Sequence, residues 1–86
     1  MSGTFEIDKT IDTCGTRCPI PLLRAKQALR EMPVGDLLQV FTTDPGAEAD
    51  FKAMLKHLPH ELLSFEAGLE GDSNTPRIDT FVIRKG

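Results

Sequence analysis

The amino-acid sequence predicts an α+β fold, a two-layer α/β sandwich with two helices on one face of a four-stranded mixed sheet in the order βαβαββ. Two segments repeat apolar residues at helical spacing, and four short segments have the apolar content of strands. Proline- and glycine-bearing turns separate most of these segments. With 86 residues, of which 40% are hydrophobic and 27% charged, the chain is expected to form a single domain over residues 1–86.

The first strand is expected over residues 5–11. Phe5, Ile7 and Ile11 fall on one side there, Glu6, Asp8 and Thr10 on the other, and Lys9 breaks the alternation. A loop over 12–18 follows. Leu22, Ala25, Leu29 and Met32 then recur at helical spacing, with Leu23 and Ala28 beside that stripe and Arg24, Lys26, Arg30 and Glu31 on the wet side. Pro33-Val34-Gly35-Asp36 ends the helix and turns the chain. Residues 37–43, apolar nearly throughout, read as a central strand covered by helices. Asp44-Pro45 suits a helix start, and Ala47, Phe51, Met54, Leu55 and Leu58 mark the buried side of a second helix that Pro59 stops. Residues 61–67 and 77–85 read as the last two strands, joined by a turn-rich loop over 68–76. If the first two strands are parallel, the helix between them crosses over right-handed. The order of strands in the sheet does not follow from the sequence.

Composition removes several functional classes. The net charge is −3 and no Lys/Arg cluster is present, which argues against direct nucleic-acid binding. No apolar run approaches the roughly 20 residues of a membrane span. The opening residues lack the charged and apolar parts of a signal peptide, so a cytoplasmic location is expected. Thiols stay reduced there, and two cysteines then suggest chemistry or a metal before a disulfide.

The informative segment is Asp12-Thr13-Cys14-Gly15-Thr16-Arg17-Cys18-Pro19-Ile20-Pro21. A residue before proline is pushed out of the helical region, so Cys18 is expected just outside the first helix, near its cap. Pro19 and Pro21 both suit a first turn, where no helical bond needs their missing N–H, and the helix start is expected between them. The positive end of the helix dipole, first-turn amides (Ile20 and Leu22 being candidates) and the Arg17 charge would all favour thiolate over thiol at Cys18. The plain alternative is a small buried hydrophobe.

The Gly15-x-x-Cys18-Pro19-x-Pro21 motif at the first helix, the βαβαββ order and Asp44-Pro45 before the second helix resemble the TusA/SirA-like sulfur carrier family. The resemblance runs from about residue 5 to residue 85. It implies that Cys18 carries sulfane sulfur as a persulfide, with Arg17, Pro19, Ile20 and Pro21 supporting it. It also implies a donor protein, a cysteine desulfurase or rhodanese-like enzyme, and an acceptor protein with a reactive cysteine. tRNA thiolation, molybdenum-cofactor supply and sulfur oxidation are the settings known for the family. No cofactor is expected.

Cys14 departs from the better-known tRNA-linked members, which tend to carry an aliphatic residue there. It can be a second thiol that resolves a Cys18 persulfide, or a merely tolerated cysteine. His57 and His60 with both cysteines make four nominal zinc ligands, but the second helix would place His57 ~20 Å from Cys18, so no metal site is expected. Arg24, Asp44 and Pro45 are candidates for partner docking, with solvated charge and helix capping as their plainer roles. A monomer is expected. Two other functions remain open on the residues: a non-catalytic interaction module with a structural Cys18, and a thiol–disulfide redox protein using Cys14 and Cys18. The latter has three residues between its cysteines where redox motifs normally have two.

Overall fold

The computed structural model describes residues 6–17, 19–68 and 77–86. Its elements run β1 (Lys9–Asp12), α1 (Ile20–Glu31), β2 (Leu37–Thr42), α2 (Ala47–Leu55), β3 (Glu61–Glu66) and β4 (Asp79–Arg84). The strands form one sheet in the order β1-β2-β4-β3. β1 and β2 are parallel, and β4 runs antiparallel to both its neighbours. The sheet is therefore mixed, as expected, and its order supplies what the sequence left open.

This order sets two ends. β1, β2 and β3 finish at the end where β4 begins, and both helices start there. The Cys14–Arg17 loop and the Asp44-Pro45 turn share that end, while His57 and His60 follow α2 at the other.

The core lies between helices and sheet. Ala25 and Leu29 of α1, Phe51 of α2, Leu38 and Val40 of β2, and Phe81 and Ile83 of β4 are wholly buried. Phe81 is the hub: its ring lies 4.6 Å from Phe51 and 4.9 Å from Phe65. Along β2, Leu38, Val40 and Thr42 are buried and Leu37, Gln39 and Phe41 are half-buried. The apolar run therefore reflects one covered face and one partly open face.

Several boundaries move. β1 begins at Lys9, not at residue 5; Phe5 lies outside the described residues, and residues 6–8 belong to no strand. The cause is local: the Asp8 N–H still donates to the Leu37 carbonyl at 3.0 Å, but the Leu37 N–H donates to the Asp8 carboxylate at 2.8 Å, so a side chain takes the donor that would carry the ladder further. Asp12, expected in the loop, closes the strand opposite Phe41. α2 starts at Ala47, because Asp44 caps the turn ahead of it: its Oδ1 accepts the Gly46 N–H at 3.0 Å and its carbonyl accepts the Ala47 N–H at 3.1 Å. The helix closes at Leu55, and His57 and Leu58 continue in tighter turns, donating to Met54 and Leu55 three residues back.

Met32, which precedes Pro33, is already extended at φ −97° and ψ 146°, and ends α1 where the pre-proline rule places the break. The β3–β4 loop expected over 68–76 lies, from residue 69 on, outside the described residues. Its base is held by Asp79, which is 2% exposed. One carboxylate oxygen accepts the Gly68 N–H at 3.1 Å and pairs with Arg77 Nε at 3.0 Å, and the other accepts Arg77 Nη2 at 3.0 Å. An Asp79→Ala protein is expected to lose about 1–3 kcal/mol, since a buried acceptor with charged donors is removed. Urea unfolding measures this, and an unchanged midpoint would mean that the clasp contributes nothing.

Candidate functional site

The β1–α1 loop is built by the hydrogen-bonding capacity of three threonines. Thr13 is wholly buried and gives both its N–H (2.8 Å) and its hydroxyl (2.6 Å) to the Phe41 carbonyl at the end of β2. The Thr16 N–H and hydroxyl return to the Thr13 carbonyl, at 3.1 and 2.6 Å, closing a four-residue turn. Gly15 takes the third position of that turn at φ +84°, a conformation that any side chain would strain. Its N–H donates to the Thr43 hydroxyl at 2.8 Å, fixing the loop to the β2–α2 turn.

Past the turn, the Ile20 N–H donates to the Arg17 carbonyl at 2.9 Å and the Leu23 N–H to the Pro19 carbonyl at 3.0 Å. Pro19 caps the helix, Ile20 is its first residue, and Pro21 is buried in the first turn. The helix thus starts between the two prolines, as the sequence predicts. Cys18 itself lies outside the described residues. The Ile20 amide, expected to be free for an anion, is instead occupied by Arg17, because the turn into the helix needs a closing bond.

Beside this segment lies a groove of about 480 Å³ lined by Gly15, Thr16, Arg17, Thr43, Asp44 and Pro45. It unites three of the expected residues, Arg17, Asp44 and Pro45. Arg17 and Pro45 are exposed, and Asp44 is half-buried. Arg24 is not on this groove. Its guanidinium donates to the Asp12 carbonyl at 3.2 Å and, with Lys9, Ile11 and Glu31, it lines a separate cleft between α1 and β1.

Cys14 is half-buried in the turn. Its N–H donates to Asp12 Oδ1 at 2.9 Å. Burial pushes its thiol up to about 11, and the hydrogen bond to Asp12 and that carboxylate's charge push the same way. The bond from the Cys14 amide, then that from its thiol, hold the Asp12 carboxyl below its ordinary value, with help from the Arg24 charge. Cys14 is thus the less reactive kind of thiol, held protonated.

Sequence reasoning missed Leu23. Read as lying beside the buried stripe, it is 57% exposed, and Ile20 on the same turn is 45% exposed. At 100° per residue, Leu23 stands about 200° from Ala25, so the spacing alone placed it on the outer face. Pro19, Ile20 and Leu23 therefore form an apolar rim on the surface next to Arg17.

The histidines do not join this site. His60 Nδ1 accepts the Gly86 N–H at 3.0 Å at the opposite end of the sheet, and His57 is exposed there. Among the described residues, no three His, Cys, Asp or Glu side chains are grouped to hold a metal. Nor is any helix among them long and apolar enough to cross a membrane.

Fold and site together define a small α+β domain of SirA-like architecture. A SirA-like protein from Desulfitobacterium hafniense superposes with a TM-score of 0.63 at 29% identity, over 87% of this chain and 95% of that one. The chain belongs to the Sulfurtransferase TusA family, whose profile matches residues 9–85. The sulfur carrier protein TusA of Allochromatium vinosum is 43% identical over 58 residues, 67% of this chain and 76% of that one. YrkI of Bacillus subtilis is 42% identical over 79 residues, 92% of this chain and 96% of that one.

Proposed function

We propose that this protein is a sulfur carrier, a sulfurtransferase whose substrates are other proteins' persulfides and thiols, with Cys18 as the loading atom's residue. The observation that supports the reading is the match to the TusA family over residues 9–85, together with the start of α1 at Ile20 behind its Pro19 cap, which directly follows Cys18 in the sequence. Cys18 thiolate attacks the terminal sulfur of a donor persulfide. The bond between Cys18 Sγ and that sulfur forms, the bond to the donor's Sγ breaks, and the donor leaves as a thiolate. Delivery repeats the exchange with an acceptor thiolate, and Cys18 is the leaving group.

The thiolate is supported by the helix dipole and Arg17. Pro19 and Pro21 stiffen the backbone under it. Ile20 and Leu23 offer apolar contact to a partner, with Asp44 and Pro45 across the groove and Arg24 on the flank. No cofactor enters the exchange. The donor has cysteine desulfurase or rhodanese-like chemistry, the acceptor carries a reactive cysteine, and the carrier works as a cytoplasmic monomer. A redox role for Cys14 with Cys18 is disfavoured, because the Asp12-bound Cys14 thiol is a poor attacking group at neutral pH.

Intact-mass spectrometry after incubation with a persulfide donor tests the reading. One added sulfur atom is expected, with no loss of two hydrogens, whereas an unmodified thiol would favour a non-catalytic interaction module. A Cys14→Ser protein is expected to load equally and to keep its persulfide as long as the parent. Persulfide that lasts several-fold longer in the variant would show instead that Cys14 resolves it.

A further inference from the structure

At the end of the sandwich remote from Cys14, a pocket of about 220 Å³ is lined by Lys26 and Arg30 of α1, Leu58, His60 and Lys85. Three of its five lining residues are permanent cations, in a chain whose net charge is −3. None is an acid. Among the described residues, Lys26 and Arg30 make no hydrogen bond or ion pair, and they stand one helical turn apart on the same face. The acids that flank these segments in sequence are engaged elsewhere: Glu31 pairs with Lys9 and Glu61 with Arg84.

One carbonyl of the local negative pole is also engaged. Carbonyls at the end of α1 would repel an anion, but the Lys85 ammonium donates to the Leu29 carbonyl and Met32 N–H donates to it as well. An ammonium has three donors, so two remain for a ligand. His60 is oriented too: with Nδ1 accepting the Gly86 N–H, a neutral ring must carry its proton on Nε2.

We propose that this pocket binds a small tetrahedral dianion of the phosphate or sulfate class, held by Lys26, Arg30, Lys85 and the His60 ring. Arg30 supplies a planar donor fork and the lysines point charges, the usual division of labour around such oxygens. Leu58 leaves one wall apolar, which suits an esterified anion as well as a free one.

His60 reports occupancy. Burial, then the Lys85 charge, holds its pKa below the ordinary histidine value in the ligand-free protein. An anion offsets the Lys85 charge and so favours the imidazolium, against the bond from the Gly86 N–H that a protonated Nδ1 gives up, and binding is expected to move the pKa up. The test is an NMR titration of both histidine rings near about pH 7.5 with inorganic phosphate, sodium sulfate and glycerol 3-phosphate, each against sodium chloride at equal ionic strength. Saturable shifts at His60 but not at exposed His57, with the His60 pKa moving up, are expected. A Lys26→Ala/Arg30→Ala protein, altered only at exposed positions, is expected to bind at least about tenfold more weakly while keeping its backbone spectrum. Response to phosphate and sulfate identifies a free-ion site, and preference for glycerol 3-phosphate an esterified ligand. His60 shifts no larger than those in chloride, or unchanged by the double substitution, would overturn the proposal.

Discussion

A Cys18→Ser protein is expected to take up no sulfur from a persulfide donor, while the one-atom change leaves its unfolding midpoint nearly unchanged. The effect is all-or-none, because a serine hydroxyl cannot form the S–S bond on which the exchange depends. The Cys14→Ser protein serves as the matched control, since its remaining thiol is Cys18. The fold makes this separation clean. The loop is fixed by bonds from Thr13, Gly15 and Thr16 to β2, to Thr43 and within its own turn. Intact mass after donor incubation reads the loading. If the Cys18→Ser protein still gained a sulfur atom, Cys14 would be the carrier and the roles of the two cysteines would be exchanged.

A Phe81→Ala substitution is expected to cost about 3–5 kcal/mol, the range for removing a large buried ring. Phe81 lies on a strand between β2 and β3 and touches rings from α2 and β3, so its loss opens both layers at once. Domains of this size hold roughly 5–15 kcal/mol in total, so a large share of the stability would go. Equilibrium denaturation measures this, with Leu23→Ala on the outer face of α1 as comparison. Leu23 is more than half exposed, and its truncation is expected to be nearly neutral. A loss of less than 1 kcal/mol for Phe81→Ala would contradict the placement of the core.

The helices were legible because each repeats its buried side chains at 3.6-residue spacing. Of the residues that spacing marks, Ala25 and Leu29 of the first helix, its cap residue Met32, and Ala47, Phe51 and Leu55 of the second are buried, while Leu22, Met54 and Leu58 are half-buried. The strand order was not legible. Insertion of β4 between β2 and β3 is a pairing of distant segments, and no local pattern in Thr80, Val82 or Ser64 names its partner. Nor was the start of β1, which depends on the Asp8 carboxylate meeting the Leu37 amide. At the site, the start of α1 between Pro19 and Pro21 was readable from chain chemistry alone. The Asp12–Cys14 contact was not, because it needs the turn that Thr13 and Thr16 close. The bond from Arg24 to the Asp12 carbonyl was not legible either, because a charge on an outer helix face gives no sign that a neighbouring strand end will take it.

The most direct measurement is the pH dependence of alkylation of the Cys14→Ser protein, in which Cys18 is the thiol that remains. Arg17 and the start of α1 should bring half-ionisation to about pH 7 or below, against about 8.5 for a free cysteine. Reaction that rises only around pH 8.5 or higher, or a thiol that no small electrophile reaches, would contradict it.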